Sequence, residues 1–396
     1  MKIGIYGGTF NPIHTGHMAA AKFAAEYLQL DVLYLIPAGL PPHKALAEGT
    51  PDAEHRLNMT KLAAAAIGKQ TKVLDIELKR TGKSYTVDTL REIRAMHPED
   101  HLYFLMGTDM FLTFQKWYKP DEIARLCTLC AFGRSEADTE ELFAVQREYL
   151  ARELGADIVT VVLPKIVEIS STELRRQLEL GKGRAFLCDA VYGYILREKL
   201  YGTEKDLTKL SLEELRCVGL SMLSPGRIAH VLGTEEMAAR LARCWSADET
   251  AARRAALLHD CTKALSREQH LSLLRQNNIE PDSVERRDDA LLHAKSGAVV
   301  AEQIFGESAE IVSAIRFHTT GKADMTMLEK IVYLADYIEP TRVFRDLSEL
   351  RKLAEEDLDR AVLMALTMSV EHLEEKGAVV HPDSVCARDY LKGTLS

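Results

Sequence analysis

The chain has 396 residues, 46% hydrophobic and 28% charged, with 50 basic against 59 acidic residues for a formal net charge of −9. That length favours two or three domains, and the apolar content excludes a disordered, collagen-like or low-complexity chain. The charge, without a long same-sign run, speaks against a nucleic-acid scaffold but leaves room for local cationic pockets that take phosphates. Through about residue 200, short apolar runs at 2–6, 32–37, 71–76, 101–106, 128–133 and 157–163 read as strands. Helical patterns at 16–29, 51–68, 86–96, 108–116, 139–153, 172–180 and 189–200 alternate with them. Thr50-Pro51 reads as an N-cap followed by proline at the first helical position. Such alternation predicts an α/β domain, doubly wound on a mainly parallel sheet covered on both faces.

Beyond Tyr201-Gly202-Thr203 the pattern turns helical, with apolar residues three and four apart from about 206 to 376 and no convincing strand. We therefore expect two different domains, an α/β domain over 1–203 and an all-α domain over 208–396. The seven cysteines are scattered and odd in number, so no disulfide framework emerges and a reducing compartment is expected. Cys127 and Cys130 form a C-x-x-C inside an apolar run that reads as a buried strand. No run of about 18 apolar residues is present. The first residues, one lysine followed by a glycine turn, do not read as a signal peptide. A cytoplasmic location is expected, with no membrane or nucleic-acid partner; a homo-oligomer is compatible with the sequence.

The first strand runs into Gly7-Gly8-Thr9-Phe10-Asn11-Pro12-Ile13-His14-Thr15-Gly16-His17 and then a helix. A glycine turn between strand and helix lets backbone N–H groups and the helix dipole face phosphates. His14 and His17, three apart, lie on one side at the helix start and can donate to polyphosphate oxygens. The segment Ile169-Ser170-Ser171-Thr172-Glu173-Leu174-Arg175-Arg176 opens another helix, with Ser170 and Glu173 spaced as a capping box. Across one sheet, its hydroxyls, N–H groups and Arg175 would make a second anion site facing the first.

These two motifs resemble the HxGH nucleotidyltransferases, and the middle segments resemble nicotinate-nucleotide adenylyltransferases of the NadD type over essentially residues 1–200. The resemblance implies transfer of AMP from ATP, with Mg²⁺, to nicotinate mononucleotide, giving deamido-NAD and pyrophosphate without a covalent intermediate. It implies that His14, His17, Ser171, Thr172, Arg175 and the N–H groups of Gly8, Thr9 and Phe10 stabilise the phosphates, with Lys44 reaching them. Ser84-Tyr85-Thr86 and Trp117-Tyr118 match the pyridine-binding segments, Thr86, Trp117 and Tyr118 among them, the tryptophan stacking on the ring. Asp109 follows a strand end and would contact ribose or the metal.

In the second half, His259-Asp260 ends an apolar helix over 251–258, where an unsatisfied pair would be costly. His230 stands one turn after Arg227, Asp336 interrupts an apolar stretch, and His293 and His318 lie between. Imidazoles and carboxylates without thiols suit Fe, Mn, Zn or Co. His270, His372 and His381 sit in polar surroundings and read as surface residues. The series H…HD…H…H…D on a helical frame resembles the HD metal-dependent phosphohydrolases. His318-Thr319-Thr320-Gly321 and the segment from Leu334 to Arg342 are similar to the YqeK-like subfamily. That resemblance implies symmetrical cleavage of diadenosine tetraphosphate to two ADP with iron or another divalent transition metal. His230, His259, Asp260 and Asp336 are expected to form the metal core. His293 and His318 complete a second metal site or contact phosphates, and Arg227, Lys263, Thr319 and Arg342 are candidate phosphate contacts. The same pattern also fits an HD half that acts on another nucleotide, or one that only binds nucleotide as a regulatory module.

Overall fold

The computed structural model describes residues 1–40, 47–133, 138–163, 169–343 and 346–396. They fall into two compact units, Met1–Glu204 and Lys205–Ser396.

The first unit is built on six parallel strands: β1 (Lys2–Gly8), β2 (Val32–Pro37), β3 (Thr71–Val73), β4 (His101–Gly107), β5 (Thr128–Phe132) and β6 (Ile158–Val161), in the spatial order β3-β2-β1-β4-β5-β6. The chain winds one way from β1 through β3, then crosses back to β4 and winds the other way. The β1–β4 pair is thus the point where the winding reverses, and the crevice beyond its carboxyl ends is where such sheets hold ligands. Gly8 and Gly107 end those two strands.

The central strands are apolar on both faces because helices cover both. On one side Ile3, Ile5, Phe104 and Met106 pack against Val87, Leu90 and Ile93 of the helix Thr86–Met96 and against Phe143 and Leu150 of the helix Glu140–Leu154. On another, the helix Thr15–Leu28 buries a run of alanines, Ala20, Ala21, Ala24 and Ala25. The outer strands are shorter than the sequence suggests. The run at 71–76 pairs only through Val73 and Ile76 already begins a helical turn, Ile76–Lys79; the run at 157–163 pairs over Ile158–Val161. The second helix, Ala53–Ile67, starts later than Thr50-Pro51 implies: its N-cap is Asp52, whose carboxylate accepts from the His55 N–H at 2.9 Å.

The second unit is helical, with no strand among its described residues. Most of its helices open on serine, threonine or aspartate caps, and Ser211, Ser266 and Thr326 form full capping boxes. Central to it, the helix Glu249–Leu258 buries Ala255, Ala256, Leu257 and Leu258, and Met327–Ile338 buries Ile331, Val332, Leu334 and Ala335. Each buried leucine stabilises by about 2 kcal/mol. The charges that enter this core are paired: Glu235 accepts from Arg216 and Arg253, and Glu307 from Arg254 at 2.7 Å. Among the described residues no helix is long and apolar enough to cross a membrane.

Candidate functional site

In the first unit the segment after β1 turns sharply. Phe10 adopts a left-handed backbone (φ 47°) and buries its ring beneath the turn, edge-on to Tyr6 at 5.7 Å. Gly8 is required there: a Cβ on it would stand 2.8 Å from the Phe10 ring. A left-handed residue in a turn can swing successive N–H groups towards one side, the geometry of an anion nest. His14 caps the helix Thr15–Leu28 and its N–H donates to His17 Nδ1 at 3.4 Å, so the two rings lie 3.7 Å apart.

The second motif reaches this turn directly. Ser170 caps the helix Ser171–Glu179, its hydroxyl accepting from the Glu173 N–H at 3.1 Å. The return half of the expected capping box is not made, and Glu173 instead binds Arg176. Arg175 donates through Nη1 to the Asn11 carbonyl at 2.8 Å and through Nη2 to Thr172 Oγ1 at 3.2 Å. Residues 164 positions apart are therefore joined at the crevice. Asn11 is also held by its side chain, which donates to Thr50 Oγ1 at 2.7 Å; this is what Thr50 does in place of capping. Asp109 is exposed at the start of the helix Thr108–Leu112, beyond β4. Thr86 begins the helix Thr86–Met96, and the Tyr85 ring meets Tyr118 at 4.6 Å. Half-buried Trp117 leans on Phe114 and Phe104, with ring centres 5.3 and 6.0 Å away. Lys44 lies outside the described residues.

In the second unit five helices and their ends converge. His230 lies on Ile228–Cys244, His259 and Asp260 follow Glu249–Leu258, His293 lies on Asp289–Gln303, His318 follows Ala309–Phe317, and Asp336 lies on Met327–Ile338. Each histidine uses its Nδ1 elsewhere. His259, His293 and His318 donate from Nδ1 to the carbonyls of Ala256, Ala290 and Ile315 at 2.6, 2.7 and 2.7 Å, and His230 donates to Glu339 Oε1 at 3.0 Å. A carbonyl or carboxylate accepts only from N–H, so every Nε2 carries a bare lone pair when the ring is neutral. Burial enforces neutrality: it pushes the His293 and His318 imidazoles down to about 3 and holds His259 well below its ordinary value.

Those lone pairs face one another. His230 Nε2 is 3.3 Å from His259 Nε2, and His293 Nε2 is 3.1 Å from His318 Nε2. Carboxylate oxygens join them: Asp336 Oδ1 is 3.0 Å from His230 Nε2, and Asp260 Oδ1 is 3.1 Å from His293 Nε2. Without a proton on Nε2 the latter contact is no hydrogen bond, and Asp260 Oδ1 is a buried oxygen with no donor. Converging lone pairs and two carboxylates are costly without positive charge. The ligand atoms of His230, His259 and Asp260, of His259, His318 and Asp336, and of Asp260, His293 and His318 each lie within 4.8 Å of one another, a donor set that fits divalent cations. Arg227 pairs with Asp260, Arg342 Nη2 donates to Asp336 Oδ1 at 2.7 Å, and Lys263 Nζ stands 3.1 Å from the His293 ring nitrogens. Thr319 is half-buried next to His318.

Residues 5–177 match the cytidylyltransferase-like family model, and residues 227–341 match the HD domain. A probable nicotinate-nucleotide adenylyltransferase of Dehalococcoides mccartyi is 40% identical over 207 residues, covering 51% of this chain and 97% of the relative. One from Carboxydothermus hydrogenoformans is 36% identical over 201 residues, 50% of this chain and 98% of the relative. The chain belongs to the nicotinate-nucleotide adenylyltransferase family. Its adenylyltransferase unit is followed by the HD unit. For the latter, a Clostridium acetobutylicum crystal structure described as a "predicted HD superfamily hydrolase involved in NAD metabolism" is 36% identical, covers 47% of this chain and 98% of that one, and has a TM-score of 0.45.

Within the adenylyltransferase unit the crevice gathers Gly8, Thr9, Phe10, His14, His17, Thr172 and Arg175, the last through its bond to Asn11. Two residues escaped the sequence reading. Arg56, buried on the helix Ala53–Ile67, binds the same turn. Glu339, in the HD unit, orients His230, and its other oxygen accepts from the Thr341 N–H at 2.6 Å. Arg56 has no local signature, and Glu339 lies in the Leu334–Arg342 segment without a sign of its role; each matters through a contact made by the fold. Two surface assignments are corrected. His270 is buried, with Nδ1 2.7 Å from Ser296 Oγ, in a chain that continues through Thr262 to the His293 carbonyl. His381 is buried and donates from Nε2 to Asp282 at 2.8 Å. Asp282, Glu285 and His381 also have metal-like spacing, but the Lys295 ammonium, 2.5 Å from Glu285, already supplies the counter-charge. Cys127 and Cys130 are both buried, and burial pushes each thiol up to about 12, which suits packing and not redox chemistry.

Proposed function

We propose that the chain is bifunctional. Its adenylyltransferase unit transfers AMP from MgATP to nicotinate mononucleotide, giving deamido-NAD and pyrophosphate. The observation that carries this reading is the Arg175–Asn11 bond, which brings the two phosphate motifs to one crevice. The turn at 8–10, His14, His17, Ser171 and Thr172 surround the departing pyrophosphate with donors, and Arg175 holds the turn in place. Such transfer is largely positioning and charge stabilisation. The Trp117 shelf beside Tyr118 and Thr86 takes the flat nicotinate ring, and Asp109 takes the ribose or the magnesium. With ATP, Mg²⁺ and nicotinate mononucleotide the full chain is expected to release pyrophosphate; a preference for phosphopantetheine would overturn the acceptor.

The HD unit is a metal-dependent phosphohydrolase that cleaves diadenosine tetraphosphate to two ADP. Four inward Nε2 lone pairs with Asp260 and Asp336 would hold divalent metal. When bound, such cations polarise a phosphoryl oxygen and lower the pKa of a water. Arg227, Lys263, Thr319 and Arg342 line the approach and bind the polyphosphate. Incubation of the metal-loaded chain with diadenosine tetraphosphate is expected to yield ADP alone. AMP with ATP would contradict symmetrical cleavage, and a loaded protein that binds nucleotide without turnover would favour the regulatory module.

A further inference from the structure

Arg56 is one of the most buried charged residues of the first unit, 2% exposed, and among the described residues it forms no ion pair. Its Nη1 donates to the carbonyl of Thr9 at 3.0 Å and of Ala38 at 2.7 Å. Its Nε is buried with no partner. Removing a guanidinium from water without a carboxylate costs several kcal/mol, and two neutral carbonyls offset only part of that. A fold that keeps such a group uses its charge or its geometry.

The geometry is specific to the turn after β1. Gly8 O accepts from the Ala38 N–H at 2.8 Å, Thr9 O from Arg56, and Asn11 O from Arg175 at 2.8 Å. Three carbonyls of one short segment are thus drawn towards protein donors. Fixing the carbonyls on that side fixes the intervening N–H groups, and the left-handed Phe10 turns them towards the crevice. Arg56 also ties the turn to the end of β2 through Ala38, so the nest cannot drift from the sheet. The Tyr201 hydroxyl is buried without a partner; burial pushes its pKa up, and the Arg175 and Arg56 charges oppose that shift.

We infer that Arg56 is a positioning residue of adenylyl transfer: it locks the turn at 8–11 so that the N–H groups of the turn meet the ATP phosphates. The inference rests on the proposed adenylyltransferase activity and adds a residue that touches neither substrate. Preorganised donors matter most for the charge that develops as pyrophosphate leaves.

The test uses the full chain and the variants Arg56→Gln and Arg56→Lys. Binding of MgATP is measured by calorimetry without any acceptor, and pyrophosphate release is measured with nicotinate mononucleotide. Arg56→Gln is expected to weaken MgATP binding about tenfold or more and to lower kcat about a hundredfold, with KM for the mononucleotide within about threefold of wild type. Arg56→Lys keeps the charge, but its shorter side chain stops short of the position Nη1 holds between the two carbonyls, so ATP affinity recovers more than kcat does; it also serves if the glutamine variant folds poorly. Equal loss in both KM values, tracking a lowered Tm, would reduce Arg56 to a structural staple and overturn the proposal, as would wild-type ATP affinity and kcat in Arg56→Gln. A wild-type chain that binds MgATP but prefers another acceptor refutes the acceptor, while the calorimetry still decides the role of Arg56.

Discussion

The support behind His230 can be tested at a residue that never meets a ligand. A Cβ on Gly233, within the helix Ile228–Cys244, would stand 2.6 Å from Glu339 Oε2 and 3.4 Å from Glu339 Cδ and Pro340 Cδ. Ordinary contact begins at 3.4 Å, so in Gly233→Ala the carboxylate must withdraw by 3.4 − 2.6 = 0.8 Å. The bond from His230 Nδ1, now 3.0 Å, would stretch beyond hydrogen-bonding range or turn out of line. Two effects then compete. Alanine favours the helix by about 0.5–1 kcal/mol, whereas loss of a bond to a charged acceptor costs about 1.5–3 kcal/mol. The net cost to folding is small, on the order of 1–2 kcal/mol. Loss of the group behind a metal-binding imidazole typically weakens metal binding about 10- to 100-fold. Equilibrium dialysis of the full chain against Mn²⁺ or Co²⁺, with metal quantified in each compartment, is expected to show that loss while Tm moves by only a few degrees. Metal binding as tight as wild type in Gly233→Ala would refute the assigned role of Glu339.

Adding a divalent cation to chelated protein should raise the Tm of the HD unit, by about 2.7 kcal/mol of stabilisation at a hundred times Kd, because it relieves the converging lone pairs; no shift with Mn²⁺, Co²⁺ or Fe²⁺ would contradict the metal reading. Arg175→Met should lower the pyrophosphate-release kcat about a hundredfold, since it frees Asn11 and removes a cation from the crevice, and a rate within about threefold of wild type would count against that. In native protein at pH 8 a thiol reagent should modify exposed Cys244 and Cys386 and leave Cys127 and Cys130 untouched; rapid labelling of the latter pair would contradict their burial. Asp282 supplies a pH test. Burial opposes its ionisation, but the N–H groups of Glu285 and Val284 and the His381 imidazole outweigh this and hold its carboxyl below the ordinary value. A lowered folded pKa gives stability that is present above the unfolded value of about 3.9 and lost as pH falls below it. Asp282→Asn should therefore cost about 1 kcal/mol at pH 7, discounted for its 40% exposure, and progressively less below about pH 4; a difference independent of pH would contradict the assignment.

Much of the architecture is legible in the sequence because the central strands are sealed on both faces. Apart from the first residues Lys2, His101 and Thr128, the runs of β1, β2, β4 and β5 are apolar or glycine and nearly match their observed bounds. The outer strands are shorter than their composition suggests because β3 and β6 each pair with one neighbour, so fewer residues are held in register. The expected helix at 108–116 breaks at Thr113, and Phe114–Lys116 continues as a separate tight turn. At the sites, the residues proposed to face a ligand announce themselves as polar groups in apolar or glycine-rich settings, as Asp336 and His14 do. Residues that hold them do not. Arg56 looks like one more charge on an amphipathic helix, Glu339 like the end of another, and His270 and His381 lie in polar surroundings that say nothing of the burial their partners impose.

On the proposed reading one chain carries two separate phosphate chemistries, one at the His14–His17 turn and one at the Asp260 cluster. Phosphorus NMR of the metal-loaded full chain, given ATP, nicotinate mononucleotide and diadenosine tetraphosphate together, tests it most directly. The wild type should produce pyrophosphate and ADP; Asp260→Ala should still release pyrophosphate at the wild-type rate while ADP formation from the dinucleotide stops. ADP formation that persists in Asp260→Ala, or loss of both products in that variant while it remains folded, would contradict the account.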